Sequence, residues 1–188
     1  MNIGNFFKKS FDINLEHLPR LVLYALVVLL ISFLSFGILA PIMLAGYLMC
    51  YLKLYRGEEA NFGLLFKYFD RFLPLFLFGL VFGIIIFLIN LIHPYLTILA
   101  VWILFTLWLY TVLIIAENKD ITVFEAMNVS QKKVFEKGFW NHFVFILILS
   151  ILIYLGYRCF ILGILLTFPI AMGAISAAYI ENFSGSTL

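Results

Sequence analysis

The residues of this chain with the widest chemical repertoire are its three histidines and two cysteines. His17, His93 and His142 lie in three different segments, so their spacing does not form a metal-binding cluster. Cys50 and Cys159 form no CxxC pair. The sequence also lacks the HExxH, nucleophile-elbow, phosphate-loop and dinucleotide-binding motifs. We therefore predict no catalytic residue, no metal site and no cofactor, and hence a protein that is not an enzyme.

The composition indicates that these residues sit in a membrane protein. The chain has 188 residues, of which 65% are hydrophobic and only 12% are charged. Soluble domains carry about a quarter charged residues. Runs of about 18 or more nearly uncharged residues are typical of membrane spans. We predict a single all-α domain, a polytopic transmembrane helical bundle, and the net charge of +2 gives no reason to expect a nucleic-acid partner.

The apolar runs and the breaks between them predict six spans. A single helix over the 35 residues from 21 to 55 would be about 52 Å long, too long for one crossing. Gly37 and Pro41 mark a fold-back point within it, which favours two short spans. One span followed by a re-entrant or interfacial segment is the alternative. The predicted spans are 21–37, 39–55, 72–92, 96–116, 140–157 and 160–180.

Three amphipathic segments separate or precede these spans, at 1–20, 58–71 and 118–138. In the first, an apolar face is predicted to comprise Ile3, Phe7, Phe11, Leu15 and Leu18. In the third, Thr122 and Glu125 have the spacing of a capping box.

The basic residues predict the orientation of the chain. In the six-span topology eleven of the twelve lie on the side of both termini, and only Arg158 lies on the other. Cytoplasmic loops of membrane proteins collect Lys and Arg. We therefore predict a multi-pass protein of the cytoplasmic (inner) membrane with both termini cytoplasmic. The eleven residues are Lys8, Lys9, Arg20, Lys53, Arg56, Lys67, Arg71, Lys119, Lys132, Lys133 and Lys137.

The second amphipathic segment is the strongest candidate for a binding surface. As an α-helix it would place Lys67 and Arg71 opposite an aromatic face, with Asn61 as its N-cap. Such a helix lies in the headgroup region of a membrane, where it either anchors the bundle or offers a platform for anionic lipid or a partner's helix. The predicted apolar face consists of Phe62, Leu65, Phe66, Phe69, Phe72 and Leu73.

A tyrosine stripe lies just before this segment. Tyr47, Tyr51 and Tyr55 recur every four residues and so share one helical face. Tyrosines are enriched at membrane interfaces, so the stripe is either an interfacial or packing feature or a groove for a lipid or substrate.

Small residues predict close helix contacts in two other segments. Gly79 and Gly83 form a GxxxG motif, and Gly173 and Ala177 lie on a small-residue face. Such faces let helices approach closely, either within one bundle or between two copies of a chain.

Two stretches carry a resemblance to known families. They are "PIMLAGYLMCYLKLYRGEEANFGLLFKYFDRF", from Pro41, and "PIAMGAISAAYIENF", from Pro169. This layout resembles uncharacterised bacterial membrane-protein families related to the membrane domain of glycerophosphoryl diester phosphodiesterases. The resemblance implies a membrane-embedded bundle and brings no catalytic residues that could be carried over to this chain. It does not imply phosphodiesterase chemistry, because these 188 residues contain no soluble phosphodiesterase domain.

Two functions follow as hypotheses. The first is a non-enzymatic scaffold or accessory subunit that engages membrane lipids, another membrane protein or a second copy of itself through its cytoplasmic amphipathic face. The alternative is a small transporter or channel for a neutral or lipid-like substrate, built from two duplicated halves. The similar stretches "GILAPIMLAG" and "GILLTFPIAMG" suggest such a duplication. The side chains available to line its path are Ser32, Ser35, Thr106, Thr111, Ser150 and Thr167.

Overall fold

The computed structural model describes residues 2–183, which are helical throughout apart from short connections and contain no strand. The all-α fold is confirmed. Its elements are α1 (Ile3–Glu16), α2 (Leu18–Leu34), α3 (Ala40–Tyr55), a 3₁₀ helix (Phe62–Arg71), α4 (Phe72–Ile92), α5 (Pro94–Leu107), α6 (Thr111–Glu117), α7 (Val123–Glu136), α8 (Phe139–Arg158) and α9 (Phe160–Phe183).

Among the described residues, four helical segments are long and apolar enough to cross a membrane: Phe62–Ile92, Pro94–Glu117, Phe139–Arg158 and Leu162–Phe183. The structure thus supports a polytopic bundle with fewer than the six expected spans. The first two predicted spans became α2 and α3, of 17 and 16 residues. At 1.5 Å per residue each is about 25 Å long, less than the hydrocarbon core of about 30 Å. Counting α1 and α2, which meet at 101°, as one broken span raises the number to five.

α2 and α3 form a hairpin at the predicted fold-back point. Phe36 and Gly37 have φ values of 51° and 83°, a left-handed conformation that glycine adopts at little cost. Pro41 stands in the first turn of α3, where its missing N–H is not needed. Leu34 and Phe36 project outward from this apolar turn and are exposed.

The centre of the bundle is α9, which packs against α1, α3 and α8. Its contact with α1 uses a side of the N-terminal helix that the sequence did not predict. Phe11, Leu15 and Leu18 are exposed, whereas Ser10 and Asn14 are buried. The reason is tertiary hydrogen bonding, because buried polar groups are stable when they find partners.

Two hydrogen bonds provide these partners. The Ser10 hydroxyl donates to the carbonyl oxygen of Ile170 at 2.7 Å, and the Asn14 side-chain oxygen accepts from the Tyr51 hydroxyl at 2.9 Å. α1 is therefore fixed against α9 and α3 through its small polar side chains.

The third amphipathic segment forms α7 with the predicted cap. The Thr122 hydroxyl accepts from the backbone N–H of Glu125, and the Glu125 carboxylate accepts from the backbone N–H of Thr122. The hydrogen bonds from Thr122 hold the pKa of Glu125 below its usual value. The capping box is confirmed.

Candidate functional site

The 3₁₀ helix Phe62–Arg71 carries most of the predicted binding residues. Asn61 caps it as predicted, because its side-chain oxygen accepts from the backbone N–H of Leu64 at 3.1 Å. A 3₁₀ helix has three residues per turn, so side chains at i and i+3 line up. Leu65, Tyr68 and Arg71 accordingly form one buried row. This winding changes which residues are available at the surface.

Arg71 is the clearest correction to the predicted site. It was expected on the exposed polar face, but it is only 8% exposed. Its guanidinium Nη1 donates to the carbonyl oxygens of Ile115, at 3.3 Å, and Asn118, at 2.8 Å. Arg71 therefore joins the 3₁₀ helix to the end of α6 and does not face lipid or a partner. Leu65, expected on the aromatic face, lies in the same buried row.

Gly46 in α3 allows the 3₁₀ helix to lie directly on the bundle. A Cβ atom placed on Gly46 would lie 2.7 Å from the Leu65 Cα atom, a distance that side chains do not tolerate. This packing role of Gly46 was not predicted. A glycine in the interior of a helix is intrinsically unfavourable, and this is the signal that could have identified it.

Phe62, Phe66 and Phe69 form an exposed cluster, which we call the aromatic surface. Their exposed fractions are 45%, 38% and 40%. The ring centroids of Phe62 and Phe66 lie 5.6 Å apart, and those of Phe66 and Phe69 lie 6.3 Å apart. The three predicted phenylalanines are thus brought together on one face of a segment that Gly46 and Arg71 hold in place.

A cavity of about 430 Å³ lies beside the aromatic surface. Lys53 and Lys67 both line it, together with Glu59 and Phe66. The Lys53 ammonium pairs with Glu58 at 3.1 Å, whereas Lys67 forms no ion pair with any described residue. The Lys67 ammonium beside exposed aromatic rings can contact a phosphate group while the rings contact the upper part of an acyl chain, and the carboxylate side chain of Glu59 lines the same cavity.

The tyrosine stripe faces the protein interior. Tyr47 and Tyr51 are fully buried, and Tyr55 is half-buried. The Tyr47 hydroxyl donates to the Leu21 carbonyl oxygen at 3.0 Å, and the Tyr55 hydroxyl donates to the Gly173 carbonyl oxygen at 3.1 Å. These tyrosines connect α3 to α1, α2 and α9, so this geometry does not offer them as a lipid or substrate groove.

Three of the four predicted small residues lie at close helix contacts. A Cβ on Gly173 would lie 2.9 Å from the Tyr51 ring, one on Gly79 would lie 2.8 Å from Pro41 Cγ, and Ala177 is buried. Gly83 differs, since nothing within 4 Å would meet a Cβ there.

Two further polar clusters occur at the end of the bundle where α9 ends. In the first, Glu117 accepts from Arg56 Nη2 at 2.6 Å and from the Tyr179 hydroxyl at 2.7 Å. This cluster joins the ends of α3 and α6 to α9, a structural role that suits its partly exposed ion pair.

The second cluster is buried. The Tyr110 hydroxyl lies 3.0 Å from His142 Nε2 and 2.7 Å from the Asn182 amide nitrogen, which donates to it. No sequence pattern predicts this triad, because its members are far apart along the chain. Every member has a partner inside the protein, so the cluster connects α8 and α9 to the break between α5 and α6.

The remaining polar groups show little that could bind a metal or line a path. Within residues 2–183 no group of three or more His, Cys, Asp or Glu residues could hold a metal ion. Four of the six hydroxyls proposed to line a transport path donate to a carbonyl of their own helix: those of Ser35, Thr106, Ser150 and Thr167. The Thr111 hydroxyl is buried without a partner.

Comparison with known proteins finds no matching family model, no matching curated protein and no matching solved structure. The resemblance to the membrane domain of glycerophosphoryl diester phosphodiesterases therefore stays a prediction.

Proposed function

We propose that this protein is a non-enzymatic scaffold or accessory subunit of a membrane, and that it engages anionic lipid or a membrane partner through the aromatic surface. The observation that carries the proposal is the exposure of Phe62, Phe66 and Phe69 side by side, next to a cavity lined by Lys53 and Lys67. Exposed aromatic rings beside basic side chains are typical of surfaces that bind at the headgroup level.

The position of the surface along the chain supports this function. α4 alone has 21 residues and is about 32 Å long, enough to cross the hydrocarbon core. The 3₁₀ helix precedes α4 and is not needed for the crossing. It can therefore lie at the boundary between the hydrocarbon core and water. The predicted excess of basic residues on this side favours the cytoplasmic face of the cytoplasmic membrane, with both termini cytoplasmic.

The contacts that hold the aromatic surface in place also support the proposed binding function. Asn61 caps the segment, Gly46 admits its backbone against α3 and Arg71 fixes its end to two carbonyl oxygens. A preorganised surface binds with a smaller loss of conformational entropy than a mobile loop. The exposed rings are thus presented in a fixed arrangement, which a merely anchoring segment would not require.

The test compares two triple variants purified in a gentle detergent from the cells in which the protein is native. Replacing Phe62, Phe66 and Phe69 with serine should remove the lipid or protein that co-purifies with the parent, as identified by mass spectrometry. A matched control replaces three other exposed phenylalanines with serine: Phe33, Phe36 and Phe87. The control should retain the co-purified species. Identical recovery by all three proteins would contradict the proposal.

A further inference from the structure

An open groove with mostly apolar walls lies between α5, α8 and α9, near the end of the bundle where α8 meets α9. It has a volume of about 500 Å³, and its walls include Trp102 and Phe105 from α5, Ile153 from α8 and Ile164 from α9. A second cavity of about 500 Å³ shares Tyr157 and Ile164 with it and is also lined by Arg158. The two cavities therefore adjoin, with an apolar part toward the membrane centre and a basic residue at the outer end.

The charge of Arg158 has no partner in this part of the protein. No Asp or Glu occurs at sequence positions 21–57, 71–116 and 137–180, which cover α3, α4, α5 and α8 and most of α2, α6 and α9. Arg158 is exposed and forms no ion pair with any described residue. The hydroxyls of Tyr154 and Tyr157 flank the same region, and neither bonds to another described residue. An anionic group would complement these three side chains.

The length of the groove matches one acyl chain. Its wall on α8 runs from Ile146 to Tyr157, about 16 Å of helix at 1.5 Å per residue. One leaflet contributes about half of a hydrocarbon core of about 30 Å, which is close to the same length. The close crossing of α8 and α9 at Gly156 and Gly163 fixes the outer end of the groove.

We infer that this groove binds an anionic phospholipid, with an acyl chain between α5, α8 and α9 and the phosphate group at Arg158, Tyr154 and Tyr157. The site lies at the opposite end of the bundle from the aromatic surface. It does not depend on the proposed function, because different residues form it.

Trp102 provides a reporter inside the groove. Trp108 packs against Phe78 and Phe82 of α4, and Trp140 is exposed near the start of α8. The chain contains three tryptophans, so replacing Trp108 and Trp140 with phenylalanine leaves only Trp102. This single-tryptophan parent protein is placed in two sets of phosphatidylcholine nanodiscs. One set contains a small fraction of phosphatidylglycerol brominated near mid-chain, and the other contains the same fraction of phosphatidylcholine brominated near mid-chain.

Brominated phosphatidylglycerol should quench Trp102 more than brominated phosphatidylcholine, with a preference of roughly twofold to fivefold, the range that one partly exposed charged pair gives. Arg158→Gln should abolish the preference, Arg158→Lys should retain most of it, and added salt should reduce it. As a matched control at the other end of the bundle, Lys132→Gln should leave it unchanged.

Equal quenching by the two lipids in the parent would overturn the inference, because the groove would then hold only unselected bilayer lipid. Absence of quenching by either lipid would also overturn it, because a protein surface such as a second copy would then cover the groove. Since Arg158 is exposed, loss of folding is not expected to complicate the variants.

Discussion

The depth of the α2–α3 hairpin in the membrane can be worked out from its contact with α4. Pro41, at the start of α3, packs on Gly79, and α4 continues for thirteen residues beyond that point, from Leu80 to Ile92. This is about 20 Å of helix. Beyond Pro41, the turn over residues 35–39 extends the hairpin in the same direction by at most about 7 Å, if each residue adds about 1.5 Å as in a helix. The hairpin tip is therefore expected to end roughly 13 Å short of the far end of α4, inside the hydrocarbon core.

Such a re-entrant hairpin leaves the predicted orientation unchanged, because it enters and leaves on the same side. It also explains the composition of its turn. Phe36 is 96% exposed, and the turn over residues 35–39 contains no charged residue and Ser35 as its one polar side chain, whereas His93 and Tyr95 lie at the α4–α5 junction and Arg158 lies at the end of α8. Charged residues, histidine and tyrosine suit the aqueous boundary, and uncharged, mostly apolar residues suit the membrane interior.

Phe36→Cys tests this depth in a variant that lacks the native cysteines through Cys50→Ala and Cys159→Ser. A membrane-impermeant maleimide should fail to label it from either side of sealed vesicles, and Tyr95→Cys should be labelled from the far side. Phe36→Asp should cost about 2.5–3.5 kcal/mol, as an aspartate at a helix centre does, and lower the yield of inserted protein. Tyr95→Asp should change that yield little.

Labelling of Phe36→Cys from the far side, at a rate similar to that of Tyr95→Cys, would refute the re-entrant geometry. It would show instead that α2 and α3 cross the membrane fully. In that case the two short spans predicted from the sequence, 21–37 and 39–55, would replace the re-entrant hairpin.

Three more predictions concern stability and local order. Arg71→Ala should destabilise the protein by about 2–3 kcal/mol, because two buried carbonyl oxygens lose a charged donor, and thermal unfolding in detergent should show it. Gly46→Ala should cost about 1–3 kcal/mol through overpacking against the 3₁₀ helix, whereas Gly83→Ala, in open space, should be neutral or stabilising in the same assay. Thr122→Ala should cost about 1 kcal/mol and speed hydrogen exchange in the first turn of α7. Because the pKa of Glu125 is lowered by folding, its contribution should be complete above the unfolded carboxyl pKa and be lost as the pH falls through the lower folded pKa.

Local signals in the sequence predicted local structure well. The caps at Asn61 and Thr122 and the fold-back at Gly37 depend on a few neighbouring residues, and all three are present in the structure. The exposure of Phe62 and Phe66 followed from amphipathicity in the same way. These features need no information from distant parts of the chain.

Features that depend on tertiary contacts could not be predicted. The burial of Ser10 and Arg71 results from hydrogen bonds to Ile170, Ile115 and Asn118, each far away in sequence. The 3₁₀ winding over ten residues has no periodicity signal distinct from an α-helix at this length. Hydropathy measures how apolar a segment is and not how deep it reaches, so the depth of α2 and α3 could not be predicted from composition.

Photo-crosslinking from position 66 is the most direct test of the aromatic surface. A benzophenone amino acid at Phe66, irradiated in intact cells, should give one dominant adduct, either a membrane protein or an anionic lipid, and Lys67→Glu should reduce it. The same amino acid at Phe33, an exposed residue of α2, should give only dispersed lipid adducts. If position 66 yields the same dispersed adducts as position 33, then the surface only anchors the bundle and the proposed binding function is wrong.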